Sequence, residues 1–205
     1  FADKYGKKVA PGDLFERFHV CFERAPRLAF PDATPDQINH LERDWWKNLV
    51  RQVFEPFGRF DEFNDYFAEL FDYFAAPSAW ALFPEVVDTL AALRQRGVKL
   101  AVISNFDSRL VGILTGLGIG WYFSDVFVSS RIGYAKPDRR IFDLALSRHG
   151  LTAKDVIHVG DSQTNDLEGA RNAGLNALLI DRRTTGDESR DRVSSLQQIL
   201  VHIDG

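Results

Sequence analysis

Val156-Ile157-His158-Val159-Gly160-Asp161-Ser162-Gln163-Thr164-Asn165-Asp166 is the stretch whose reading decides the fold. Its first four residues are apolar or β-branched apart from His158, which marks a buried strand. The run stops at Gly160-Asp161-Ser162. Leu167-Glu168-Gly169-Ala170 then reads as the opening of a helix. Open α/β sheets place their ligands at the carboxyl ends of such strands. Two aspartates close together on that edge, Asp161 and Asp166, make a hard-oxygen site suited to Mg²⁺. The plainer alternative is that one of them caps the following helix.

Outward from this stretch, strands and helices alternate. Pro84–Leu93 is expected to be a helix and Val98–Ile103 a strand ending at Ser104-Asn105. Arg109–Leu117 is the next helix, and Val126–Val128 a short strand. Pro137–His149 is a helix closed by Gly150, and Val156–Val159 the strand quoted above. Leu167–Ala173 is a helix, Ala177–Ile180 a strand and Ser195–His202 a closing helix. This alternation predicts an α/β fold with a doubly wound parallel sheet. Residues 181–192 read as a surface loop, with Arg182 and Arg183 solvated.

Residues 1–83 have a different texture. They hold thirteen of the seventeen phenylalanines and three of the four tryptophans. Phe15, Phe18 and Phe22, and Phe60, Phe63, Phe67, Phe71 and Phe74, recur at helical spacing. Roughly four helices and no strand are expected there, with Thr34 and Pro35 opening one of them. The aromatic stripe reads as a helical core, a minority of its rings facing a cleft.

Composition narrows the function. The 205 residues are 45% hydrophobic and 26% charged, ordinary for a globular protein. A net charge of −4 leaves no footprint for nucleic acid or anionic membrane. No apolar run of about eighteen residues is present. The single cysteine, Cys21, reads as an inert buried thiol and suits a reducing compartment, so a cytoplasmic location is expected. His19, His40, His149 and His202 form no zinc spacing, and His158 reads as a packed core histidine. Gly116, Gly118 and Gly120 follow a helix, not a strand, and read as a helix-ending loop.

Two further stretches carry chemistry. Ser104-Asn105, at a strand's carboxyl edge, can hydrogen-bond a phosphoryl oxygen or cap the next helix. Lys136 stands before Pro137, at a helix entrance, where its ammonium can neutralise a phosphate or a carboxylate cluster, or stay solvated.

In order, Val102-Ile103-Ser104-Asn105, Lys136-Pro137-Asp138 with Ile141-Phe142, and Gly160-Asp161 through Asp166 with Gly169-Ala170 resemble the second, third and fourth motifs of the haloacid dehalogenase (HAD) superfamily of hydrolases. The resemblance implies a Rossmann-like core over residues 84–205 and a helical cap over 1–83. It implies Asp161 as a Mg²⁺ ligand, and Asp166 either supporting the metal or pairing with Lys136. It implies Ser104 binding the transferring phosphoryl group, Asn105 bordering it, and Lys136 offsetting charge there. Gly160-Asp161 favours the Mg²⁺-dependent phosphatases over the metal-free dehalogenases. The expected substrate is a small phosphomonoester. A non-catalytic protein that binds a phosphorylated ligand or a protein partner is the alternative. Oligomeric state is not readable.

The family's first motif, Asp-x-Asp at the end of a strand, has no match. Asp3 follows no strand, and Asp61, Asp65 and Asp72 lie in the aromatic helices. That strand is central in the family's sheet, and its neighbours would otherwise lose a ladder partner. A segment preceding Phe1 is expected to supply it.

Overall fold

The computed structural model describes residues 1–183 and 190–203. Three α-helices occupy the first part: α1 (Pro11–Arg24), α2 (Pro35–Phe54) and α3 (Phe63–Tyr73). Short 3₁₀ turns at Ala2–Tyr5, Glu55–Phe57 and Pro77–Ala79 connect them and take the place of the expected fourth helix. Pro56 lacks the N–H that a continuation of α2 would need, which ends that helix in a short turn. No strand occurs before residue 84. At the start of α2 the Gln37 side chain accepts the Thr34 N–H at 3.0 Å.

These helices carry their own core. Leu49, Val50, Val53, Phe54, Phe63, Tyr66 and Phe67 are buried together, with Cys21 as a free buried thiol among them. The aromatic spacing produces edge-on pairs, such as Phe54 with Tyr66 at 5.2 Å between ring centres. Burial pushes the Tyr66 phenol up to about 12.

The second part begins with α4 (Val86–Gln95) and continues through β1 (Leu100–Ser104), α5 (Arg109–Gly116) and β2 (Phe123–Val128). Helices α6 (Ser129–Ile132) and α7 (Arg139–His149) lead to β3 (Ile157–Gly160). A π-helical turn (Gln163–Glu168) runs into α8 (Gly169–Asn172), followed by β4 (Asn176–Ile180), β5 (Arg192–Val193) and a 3₁₀ helix, Leu196–His202. The π turn starts four residues before the helix expected from Leu167. The closing segment is 3₁₀ instead of α, and the two-residue β5 lies at the end of the expected loop. Residues 184–189 of that loop lie outside the described residues. Arg183 is exposed, but Arg182 is not solvated: it pairs with Glu85 and stacks over Phe83 at 3.6 Å.

All strand pairs among the described residues are parallel. β1 pairs with β2, with Ser104 opposite Val128. β3 pairs with β4, with Gly160 opposite Leu179, and β4 pairs with β5. The alternation of side chains across β4 sends Ala177 and Leu179 to one face and Leu178 and Ile180 to the other. The first face packs on Ile141, Phe142 and Ala170, all fully buried. The second packs on Leu93 of α4 and Ile199. Helices thus cover both faces, and the core is a doubly wound α/β sheet.

The sheet has two halves. β1–β2 and β3–β4–β5 are not hydrogen-bonded to each other among the described residues. Leu100 of β1 nevertheless packs in the same cluster as Ile157 and Val159 of β3. The two halves therefore share a core while leaving facing edges of β1 and β3 without a ladder partner.

Candidate active site

The carboxyl ends of β1 and β3 lie on either side of Lys136. This lysine is 9% exposed, which is rare for its type. Its ammonium donates to the Ile103 carbonyl at 2.8 Å and to Asp166 Oδ1 at 2.6 Å. An ammonium has three donors, so one N–H is left uncommitted among the described residues. The backbone of Lys136 is clamped as well. Its N–H donates to Asn105 Oδ1 at 2.7 Å, and its carbonyl accepts from Asn105 Nδ2 at 2.8 Å and from Arg27 Nη1 at 2.6 Å.

Asp166 is the anchor of this network. Its Oδ1 accepts from Lys136 and meets His158 Nε2 at 2.8 Å; its Oδ2 accepts the Ser162 N–H at 3.0 Å. Burial alone would push its carboxyl up, but the His158 hydrogen bond and the Lys136 ammonium outweigh that. Together they hold it well below the usual carboxylate range. The π turn brings the residue into place: Ser162 O accepts from both Asp166 N and Leu167 N, at 2.9 and 3.2 Å. Such turns occur frequently at functional sites. Gly160 makes room beneath it. A Cβ there would sit 2.1 Å from the Asp166 carboxyl carbon. Gly169 likewise lets α8 approach Pro137, where a Cβ would sit 2.8 Å from the ring.

Ser104 and Asp161 stand apart from this network. The Ser104 hydroxyl and the Asp161 carboxylate have no hydrogen-bond or ionic partner among the described residues. Asp161 is exposed, directly beyond β3. Mg²⁺ is typically bound by one or two carboxylates plus waters and substrate oxygens, so a free carboxylate at this edge fits it. No group of three His, Cys, Asp or Glu side chains suited to a metal occurs among the described residues. A softer, all-protein metal cage is therefore not what the described residues offer.

The five expected site residues thus fall into two sets. Ser104, Asp161 and the third donor of Lys136 have no partner among the described residues. Asn105 and Asp166 hold Lys136, and the Lys136–Asp166 pair is one of the two arrangements expected for Asp166. In both residues the polar atoms already have partners at hydrogen-bond distance.

Four residues of the surrounding structure make contacts that carry no signal in the sequence. His158 is packed in the core as expected, meeting the Phe142 ring edge-on at 5.2 Å, and it also holds Asp166. Arg27, in the loop after α1, reaches Asn165 Oδ1 at 3.0 Å as well as Lys136. Asp107, fully buried, accepts from Trp46 Nε1 at 2.6 Å and from Arg109 at 2.6 and 2.9 Å. Glu42 of α2, 3% exposed, accepts from Ser108 N, Ser108 Oγ and Ser130 Oγ at 3.0, 2.7 and 2.6 Å. The contacts of Arg27, Asp107 and Glu42 tie the helical part to the sheet edge. Each joins residues far apart in the chain, so no local spacing announces it.

Comparison with known proteins gives a consistent picture. The family model described as haloacid dehalogenase-like hydrolase matches residues 4–174. The human haloacid dehalogenase-like hydrolase domain-containing protein 3 is 36% identical over 183 residues, covering 87% of this chain and 71% of that protein. A phosphoserine phosphatase of Thermus thermophilus is 35% identical over 160 residues, 76% of this chain and 64% of that enzyme. The crystal structure of the putative HAD-hydrolase YfnB from Bacillus subtilis, bound to magnesium, superposes with a TM-score of 0.73 at 19% identity. That alignment covers 96% of this chain and 83% of YfnB, and shows the shared fold. With the family match spanning most of the chain and the two halves of its α/β core in place, this protein belongs to the haloacid dehalogenase-like hydrolases.

Proposed function

We propose that the protein is a Mg²⁺-dependent phosphatase that hydrolyses a small phosphomonoester through an aspartyl-phosphate. One observation carries this reading. A buried ammonium is fixed between two strand ends with one donor to spare, and those strand ends also carry a hydroxyl, Ser104, and a carboxylate, Asp161, that have no partner among the described residues. Phosphoryl transfer asks for this kind of arrangement, because its catalysis is mostly positioning and charge neutralisation.

In this reading the Ser104 hydroxyl donates to a phosphoryl oxygen, and the free N–H of Lys136 offsets charge on the phosphoryl group and on the nucleophile. Asn105 and Asp166 position Lys136, and His158 buttresses Asp166. Asp161 supplies a ligand to Mg²⁺, which when bound neutralises phosphoryl charge. The nucleophilic aspartate comes from a strand that precedes Phe1 and lies between β1 and β3. The unpaired facing edges of those strands support this, since buried ladder groups are almost always satisfied. Residues 1–83 act as the cap over the site and residues 84–205 as the core. Relatedness to a phosphoserine phosphatase supports phosphoryl chemistry.

The test is release of phosphate from 4-nitrophenyl phosphate by the full-length protein, with and without Mg²⁺. Turnover is expected only with the metal. Asp161→Ala is expected to lower kcat by about 100-fold or more while leaving the circular dichroism unchanged, since Asp161 is exposed and unpaired. Turnover that survives chelation, or that Asp161→Ala leaves intact, would overturn the reading.

A further inference from the structure

A cavity of about 460 Å³ opens between the helical part and the loop that follows β1. Phe18, Trp46, Phe71 and Trp80 line it from the helical side, and Phe106 and Arg109 from the other. The Phe106 ring lies 6.2 Å from Trp46 and 5.9 Å from Trp80. Phe106 is two residues beyond Ser104, so their Cα atoms are at most roughly 7 Å apart. The cavity's volume is that of a small-molecule site.

The lining is apolar almost throughout. Among the described residues that form it, Arg109 is the one charged side chain. Its charge is already answered: Nε and Nη2 donate to the buried Asp107, Nη1 donates to the Phe71 carbonyl at 2.9 Å, and the guanidinium lies 3.8 Å from the Phe71 ring centre. The cavity therefore offers aromatic surface and no uncompensated charge. An ammonium or carboxylate entering it would lose water and find no counter-ion. Some of the rings also stay open to solvent: Phe15 is 67% exposed, and Phe18 and Trp80 are each 38% exposed. Clustered exposed aromatics of this kind mark binding surfaces.

We propose that this cavity receives the alcohol portion of the substrate, and that this portion is an uncharged aromatic or branched aliphatic group. The substrate is then an aryl or apolar alkyl phosphate, and phosphoserine, which carries both an ammonium and a carboxylate, is disfavoured. The proposal rests on the phosphatase reading for the phosphate end and on the cavity alone for the apolar end.

Two measurements on the full-length protein separate these parts. With Mg²⁺ present, kcat/KM for 2-naphthyl phosphate is expected to exceed that for phosphoserine by roughly 100-fold, the scale on which a pocket discriminates by apolar fit. Without metal or phosphate, 2-naphthol is expected to quench tryptophan fluorescence saturably, through Trp46 and Trp80. Phe18→Asp is expected to raise KM for the naphthyl ester and Kd for 2-naphthol by about tenfold or more. Should that variant not fold, Phe15→Asp, at a more exposed ring on the same cavity, serves in its place. If no phosphate ester is hydrolysed but 2-naphthol binds and Phe18→Asp weakens it, the phosphatase reading falls and the apolar site stands. Preference for phosphoserine, or 2-naphthol binding that is absent or indifferent to the added charge, overturns the proposal.

Discussion

Lys136 gives its ammonium to the Ile103 carbonyl and to Asp166, and Asp166 also engages His158 and the Ser162 N–H. Every side chain in this group is nearly buried, so the charges are weakly screened and depend on one another. Removing one partner leaves another buried without compensation. Asp166→Asn is expected to cost on the order of 3–5 kcal/mol in a denaturant titration at neutral pH; a loss below about 1 kcal/mol would show that the pair is not coupled to folding. The pH dependence has a definite sign. The folded-state pKa of Asp166 is depressed, so its contribution is fully present above the unfolded value near 3.9 and is lost as pH falls further. Wild-type stability is expected to drop below about pH 4, and Asp166→Asn to remove that part of the slope. His158 shows what sequence reading lacks at this scale. A histidine inside an apolar strand looks like core, and its carboxylate partner lies eight residues on, across a π turn that apolar spacing does not distinguish from an α-helix.

The elements were legible where the apolar pattern was regular. β1, β3, β4 and α7 fall within two residues of expectation, because β-branched runs and helical spacing are local signals. β2 is longer than expected: Ser124 and Asp125 break the apolar run, yet Ser124 Oγ donates to the Leu100 carbonyl at 2.9 Å and Asp125 faces Arg148 at 3.6 Å. β5 is two residues long and carries an arginine, so no pattern announces it. The joint between α2 and the loop after β1 was likewise invisible, since it pairs residues 61 positions apart. Asp107 there accepts from Trp46 and doubly from Arg109 while fully buried. Asp107→Ala would orphan an indole N–H and a guanidinium. It is expected to destabilise the protein by about 3–5 kcal/mol, measured by urea unfolding. Asp107→Asn keeps an acceptor for Trp46 and should lose less. Equal losses for the two would show that the joint does not depend on that acceptor.

For the whole molecule, the informative feature is a parallel sheet in two halves with a common core. The alternation of strands and helices made the α/β class readable, and the aromatic density of residues 1–83 made a helical stretch with its own apolar core readable. Two of the three motifs lie at the carboxyl ends of β1 and β3, and the third, at Lys136 before α7, lies between those ends. The nucleophile is the part that the chain from Phe1 to Gly205 does not identify. We assign it to a strand that completes the ladder between β1 and β3, a claim about assembly more than about any single residue. The most direct measurement is to acid-quench the full-length protein during turnover of 4-nitrophenyl phosphate with Mg²⁺, digest it, and locate the peptide that gains the mass of one phosphoryl group. The expected result is an acid-stable, base-labile phosphoryl group on an aspartate in a peptide preceding Phe1. A phosphorylated residue within Phe1–Gly205, or turnover with no phosphoryl-protein at any quench time, would contradict the assignment.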